Sequence, residues 1–346
     1  MSRWSYLGKR LVLSIPVILF GMTVTFIAIR MGPIDPVSAA FGQNPSPEDM
    51  QRMREALGLN QPLWQQYIDF IWNMAQFDFG QSWVLRSGRD VKTLIWARAP
   101  RTIWMGFWAI LIPLFIGIPL GFYAGMNPNT GGDYVASFGG IVWRAMPNFW
   151  LAVLLMVGLS RSEDILFGFD WKTFLVNTPV VIGTGEFQTA LNGLKAGQIE
   201  PIQWAKATKQ ILPAAVVLGS ASMGNEMRIG RTAMLETKNS NYVEMARAKG
   251  VSGRVLVWKH MFRNALIPLV PVITAEANLL LGGSVLVETV MAINGIGQLF
   301  FRALTQGDMP VAGALMFIFI LLLVFINIMQ DLLYTIVDPR VGYEGE

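Results

Sequence analysis

Six stretches of this 346-residue chain stay apolar long enough to read as membrane-crossing helices: 11–29, 103–126, 134–159, 211–227, 265–286 and 311–328. A helix that crosses a bilayer needs about 20 mainly apolar residues. The third stretch holds Arg144 and Pro147, which predicts a kink or a break. The fourth is short and rich in Ala, Gly and Ser. Small residues let helix backbones approach closely, so this stretch is expected inside the bundle. The pattern as a whole predicts an all-α membrane protein with six transmembrane helices.

The segments between the spans carry their own patterns. The first, about 70 residues, is too long for a plain connector. Within it, Ser46-Pro-Glu-Asp-Met50 predicts a helix start, with Ser46 as N-cap and Pro47 at the first position, and Gly58 as the stop. Trp64, Tyr67, Ile68, Ile71 and Trp72 then recur at helical spacing. That spacing predicts an amphipathic helix resting on the bundle or the membrane interface, or else a docking surface for an external partner. The 160–209 segment mixes short apolar pieces such as Val180-Val-Ile182 with Gly and polar residues. It reads as either a folded cap or a flexible insertion. Further on, 241–249 predicts a short helix stopped by Gly250. Ser252 is the expected N-cap of a second helix, which Val255, Trp258, Phe262 and Leu266 anchor through an apolar stripe with the charges outward. Pro268 lies where that helix meets the next span, so the chain is expected to form a helix–Gly–helix elbow.

Charge gives the spans a direction. Residues 228–263 hold eight basic and two acidic residues, a net +6, against +4 for the whole chain. Residues 1–10 carry Arg3, Lys9 and Arg10 and no acid, while 31–101 and 160–209 are each neutral overall. The positive-inside rule therefore places the N-terminus and the 228–263 loop in the cytoplasm, and six spans return the C-terminus to that side. The 127–133 turn has no basic residue and does not enter the count. The first span is longer than a signal-peptide core, so it is expected to stay on the protein. Only 14% of residues are charged and 53% are hydrophobic, which argues against a soluble enzyme.

The missing chemistry narrows the function. With no Cys and a single His, His260, the chain offers no disulfide, thiol catalysis, iron–sulfur cluster or multi-His metal site. It contains no P-loop, H-E-x-x-H or G-x-S-x-G signature, and Gly295-Ile-Gly297 lacks the third glycine of a dinucleotide site. A polytopic protein without a catalytic constellation reads as a conduit rather than an enzyme. A basic loop could also serve merely to touch anionic lipid. Lipid contact needs no elbow, however, and an elbow suits a knob that fits a groove on another protein.

Asn241-Tyr-Val-Glu-Met-Ala-Arg-Ala-Lys-Gly250 resembles the permease subunits of binding-protein-dependent ABC importers, and most nearly their dipeptide/oligopeptide/nickel group. The resemblance extends over nearly the whole chain. It includes Ile29-Arg-Met-Gly-Pro-Ile-Asp-Pro36, Leu57-Gly-Leu-Asn-Gln-Pro62, Phe77-Asp-Phe-Gly-Gln-Ser82, Met146-Pro-Asn-Phe-Trp-Leu151, Arg263-Asn-Ala-Leu-Ile-Pro268, Val287-Glu-Thr-Val290 and Asp338-Pro-Arg340. The spacing from Gly250 to Pro268 is longer than in the general importer motif and resembles the peptide-type group. Asn294 stands where that group usually has proline, which leaves the helix end there less rigid. The 160–209 segment looks longer than usual.

The resemblance implies a type I importer permease fold with a large external loop between helices 1 and 2. It implies an organisation of 1–96 (first helix and external loop), 97–337 (transmembrane domain, with the coupling loop at about 228–264) and 338–346 (cytoplasmic tail). The resemblance implies a second homologous permease subunit, in a heterodimer, that completes the pathway. Two cytoplasmic ATPases would hold ATP and Mg, and an external solute-binding protein would deliver a peptide or similar small solute. This chain itself would bind no cofactor and catalyse nothing. The ATPase-coupling residues it implies are Glu244, Ala246, Ala248, Lys249, Gly250, Arg254, Asn264 and Pro268, and Pro147, Phe149 and Trp150 would form a structural helix motif.

Two ionisable residues inside predicted spans remain. Arg144 either satisfies carbonyls freed by Pro147 or lines the pathway. Glu276 either pairs with Arg144, stays protonated, or lines the pathway and meets a cationic part of the solute. The competing function is an ion- or proton-coupled secondary transporter acting alone. It would favour internal repeats, of which the two halves show none, and Glu276 is its main support.

Overall fold

The computed structural model describes residues 3–31, 37, 46–56, 58–179, 185–282 and 285–337. The Val180-Val-Ile182 piece, the Asp338-Pro-Arg340 motif, the 338–346 tail, Leu57 and residues 32–36 of the first motif lie outside them. Among the described residues the structure is helical, with one isolated β-bridge between Gln81 and Asp90. Three segments are long and apolar enough to cross a membrane: Gly8–Met31, Val91–Met126 and Met309–Leu333. A fourth is the pair Gly131–Ala145 and Asn148–Ser160, bent by 100°. The bend falls at Met146-Pro147, where Met146 is extended because the proline ring excludes the helical conformation from the residue before it. The predicted break is there.

The chain divides into two compact units. The first takes the described residues of 1–100 and 295–328. It contains α1 (Arg3–Met31), α2 (Pro47–Ala56), α3 (Leu63–Ala75), α4 (Val91–Trp96) and, from the far end of the chain, Ile296–Gln306 and the start of Met309–Val337. Ser46 caps α2 by accepting the Asp49 N–H at 3.1 Å, and Gly58 follows at φ +66°. On α3 the outcome differs from the predicted stripe. Tyr67, Phe70, Ile71 and Met74 turn inward, with Tyr67 bonded to Thr23 of α1 at 2.7 Å, whereas Trp64, Ile68 and Trp72 face away. The apolar residues cover more than one helix face, so spacing alone could not say which would pack.

The strongest polar feature of this unit is Asp308, which is fully buried. Its carboxylate accepts Ser82 Oγ at 2.5 Å and the backbone N–H groups of Trp83, Val84 and Leu85 at 3.2, 3.1 and 2.8 Å. A carboxylate 226 residues away in sequence thus closes the turn that follows the Phe77–Ser82 motif.

The second unit takes the described residues of 101–294 and 329–337. Its axis is α10 (Pro201–Lys238), whose 38 residues extend about 57 Å. Around it lie α5 (Ala99–Ile112), a π-helical turn Pro113–Gly117, α6 (Ile118–Met126), α7 (Gly131–Ala145), α8 (Asn148–Ser160) and α9 (Gly185–Lys195). Gly117, Gly121 and Gly125 recur every four residues and face Met223, Met227 and Arg231, which recur likewise on α10. Gly219 and Gly224 of α10 meet the Ala109 carbonyl and Gly140. This is the close approach expected of the fourth span. It also explains why α10 carries polar residues within its length: neighbouring helices shield it, so it need not be apolar all round.

The 160–209 segment is a folded cap where it is described. Lys209, only 5% exposed, donates to the carbonyls of Lys172 (3.0 Å) and Val176 (2.5 Å) and lies over the Trp171 ring. Burial pushes the Lys209 ammonium down from the usual lysine range, and Asp170 partly opposes this. The backbone N–H of Lys172 holds the Asp170 carboxyl below its usual range. The Val287–Val290 motif is also structural: Glu288 is fully buried and accepts Thr102 Oγ1 at 2.8 Å. Nearby, Arg101 donates to the Asn294 carbonyl at 3.4 Å.

Candidate functional site

The elbow forms where the sequence places it. After α10, α11 (Asn241–Ala248) runs to Lys249, and Gly250 takes φ +75° in open space. A left-handed residue reverses the chain here, and only glycine does so without steric penalty. Ser252 occupies the N-cap position of the second arm but makes no side-chain cap bond. The arm then passes through Gly253–Val255, a π-helical turn Leu256–Met261 and Phe262–Leu266.

That π turn splits the predicted anchoring stripe, keeping Phe262 and Leu266 against the core and turning Val255 and Trp258 outward. The buried residues are Leu256, Met261, Ala265 and Leu269, separated by five, four and four positions. Val255 and Trp258 are 43% and 64% exposed, while Phe262 and Leu266 are half-buried. A π turn bonds i to i+5 and rotates the following face, which a 3.6-residue period cannot anticipate. The elbow therefore shows Tyr242, Met245, Val255 and Trp258 outward, beside Glu244, Arg247, Lys249 and Arg254. Val243 and Ala246 point inward and join Leu256, Met261 and Ala265 in one buried cluster with Ile118 and Phe122 of α6, whose Phe122 ring meets Phe262 edge to face at 5.4 Å. Of the expected coupling residues, Glu244, Ala248, Lys249, Gly250, Arg254, Asn264 and Pro268 are exposed, but Ala246 is an anchor. Asn264 bonds back to the His260 carbonyl at 2.9 Å.

Arg144 makes neither of the polar contacts that the sequence suggests for it. It does not satisfy carbonyls freed by Pro147, nor does it pair with Glu276. Its Nη1 donates to Asn225 Oδ1 on α10 at 3.3 Å. Glu276, on α12 (Val270–Gly282), accepts Ser222 Oγ at 2.5 Å. Glu226 lies one turn beyond Ser222 on α10, beside Glu276, and is 1% exposed with no hydrogen-bond donor at normal geometry on either oxygen. The sequence reading passed over Glu226 and Ser222. Their four-residue spacing, which puts both on one helix face, was the available signal. In the Met146–Leu151 motif, Pro147 precedes α8, but Phe149 and Trp150 are exposed and Leu151 and Ala152 do the packing.

A second omission lies at the 127–133 turn. Asp133, 2% exposed, accepts both Arg231 Nε (2.5 Å) and Arg231 Nη2 (2.7 Å), together with Asn129 N–H and Ser137 Oγ. Lys238 Nζ donates to the Met126 carbonyl at 2.7 Å. The turn's lack of basic residues hid it from charge counting. Its partners come from α10.

The model for the binding-protein-dependent transport system inner membrane component matches residues 117–343, and the model for the N-terminal part of such membrane components matches 3–105. The dipeptide transport system permease protein DppB of Alkalihalophilus pseudofirmus is 34% identical over 342 residues, covering 98% of this chain and 99% of the relative. The oligopeptide transport system permease protein AppB of Bacillus subtilis is 33% identical over 339 residues, covering 98% and 99%. The Escherichia coli DppB is 30% identical over 350 residues with the same two coverages. The chain belongs to the binding-protein-dependent transport system inner membrane component family, as an integral-membrane permease subunit of an importer whose ATP hydrolysis resides on separate subunits.

Proposed function

We propose that this permease carries peptides or a similar small solute and is driven through the elbow by cytoplasmic ATPases. The likeness to dipeptide and oligopeptide permeases over almost the full chain carries the solute class. The elbow's build supports the coupling role: a buried root, with Phe262 against Phe122 of α6, and a projecting tip of Tyr242, Met245, Val255 and Trp258 among charges suit insertion into a protein groove. In this reading the chain crosses the membrane six times, with both termini and the elbow in the cytoplasm. It pairs with a second, homologous permease as a heterodimer. Two ATPase subunits hold ATP and Mg below, and a solute-binding protein delivers from outside. ATPase closure pushes the elbows and reverses the direction in which the pathway opens.

Copurification of the assembled complex, with identification of the ligand on its solute-binding protein, tests the solute class. A non-peptide ligand would reject it. For the elbow, Gly250→Val is the decisive variant. Valine at φ +75° costs roughly 1–2 kcal/mol and tilts the tip, with no neighbour to clash against. The complex is expected to assemble and hydrolyse ATP while uptake falls about tenfold or more. Normal uptake would exclude the elbow as the coupling element.

Glu276 is assigned to the pathway, where its carboxylate meets a cationic group such as a peptide amine. Glu276→Gln is expected to reduce uptake of a free dipeptide about tenfold, the scale of one charge-assisted hydrogen bond, and to spare an N-acetylated one. Uptake at fixed ATP should not change with the proton gradient. A gradient dependence that Glu276→Gln abolishes would instead favour proton coupling.

A further inference from the structure

We propose that the Asp133–Arg231 ion pair carries elbow motion into the α6–α7 hairpin, making Asp133 and Arg231 positioning residues for transport. The inference rests on the reading of the elbow as the ATPase-driven part and extends it to an element that reading does not include.

The turn between α6 and α7 is built around Asp133. Thr130 caps α7 by accepting the Asp133 N–H at 3.3 Å, and its own hydroxyl donates to the Asn127 carbonyl at 2.8 Å. Asn129, at φ +62°, donates its N–H to Asp133 Oδ2 at 2.9 Å. With Ser137 Oγ on Oδ1, the turn itself satisfies part of each carboxylate oxygen. Arg231 then adds a two-pronged bond from another helix. A bidentate guanidinium–carboxylate pair fixes orientation as well as distance, which a single ammonium contact does not. Asp133 is buried and the Arg231 side chain is 30% exposed, so the pair is screened less than a surface ion pair.

Its location gives the pair a mechanical role. Arg231 lies two turns before the end of α10, and the elbow begins at Asn241. Two turns on, Lys238 holds the last carbonyl of α6. In the other direction Gly121 and Gly125 press α6 against the α10 backbone at Met227 and Arg231, so the two helices have no slack. The elbow in turn meets α6 through Phe262, whose ring packs edge to face on Phe122 at 5.4 Å. Elbow, end of α10 and hairpin are therefore joined at three levels. At its far end α7 meets the 100° break at Met146-Pro147, where its motion can be taken up by a hinge. Displacement of the elbow turns α7 about that break, and Arg144 on α7 moves with it.

The chain has no cysteine, so single cysteines report cleanly. One is placed at Val135 on α7 and another, in a separate protein, at Met245 on the elbow. Maleimide labelling of the full reconstituted complex is compared with and without ATP and vanadate. In the parent complex both rates should change by about fivefold or more on trapping. With Asp133→Asn, and with Arg231→Lys, the Met245 change should persist and the Val135 change fall below about twofold. Uptake per ATP hydrolysed should fall in parallel. An undiminished Val135 change in the variants overturns the proposal, as does its absence in the parent while Met245 responds. Failure of both variants to assemble would make the pair a folding contact and also overturn it. Lack of any Met245 change in the parent would instead remove the elbow reading beneath it.

Discussion

Alanine in place of Asp308 is expected to lower the apparent melting temperature of the detergent-solubilised protein by about 10 °C, the equivalent of roughly 3–5 kcal/mol. The carboxylate is the common acceptor for Ser82 Oγ and three consecutive backbone N–H groups. Alanine leaves all four donors inside the unit without their acceptor, and hydrogen bonds to a charged group contribute about 1.5–3 kcal/mol each before such effects overlap. Asp308→Asn keeps one acceptor oxygen but turns an N–H₂ toward N–H donors, so it should fall between wild type and alanine. Proteolysis should open the chain first around 82–85, beside the isolated bridge between Gln81 and Asp90. An unchanged melting temperature with unchanged cleavage would show that the clasp contributes nothing.

Leucine at Gly121 is expected to abolish accumulation of folded protein in the membrane. A Cβ at this position would lie 2.5 Å from the Met227 carbonyl oxygen and 2.9 Å from its Cα. Both are backbone atoms of a helix held on its other sides by Gly219 against Ala109 and Gly224 against Gly140. Overpacking in a compliant core costs about 1–3 kcal/mol, and here the obstacle cannot rotate away. Gly121→Ala should already reduce the yield. Leucine at Gly139 or Gly158, where a Cβ meets nothing within 4 Å, is the control and should be tolerated. Equal yields for Gly121→Leu and Gly139→Leu would contradict the close α6–α10 contact.

Local chemistry made several elements legible in the sequence. Ser46, Pro47 and Gly58 bound α2 because caps, a proline and a left-handed glycine act on their immediate neighbours. Pro147 breaks the third span because its ring clashes with the preceding turn. Gly250 ends α11 for the same kind of near-neighbour reason, so the elbow could be placed before its packing was known. The all-helical membrane class and the family followed from apolar run lengths and from the order of motifs along the whole chain.

The tertiary structure decided what depends on partners far away in sequence. Periodicity assigned Val255 and Trp258 to the anchor, but a π turn rotated the arm and made Leu256 and Met261 the buried pair. Charge counting treated the 127–133 turn as silent, and only folding brought Arg231 to Asp133. An intramembrane pair between Arg144 and Glu276 was reasonable by charge, yet Asn225 and Ser222 on the intervening α10 took one partner each. Propensities, caps and breaks act within a few residues, so a linear reading reaches them. Which face is buried, and which charge meets which, depends on helix rotation and on contacts 54 to 226 residues apart, and packing sets both.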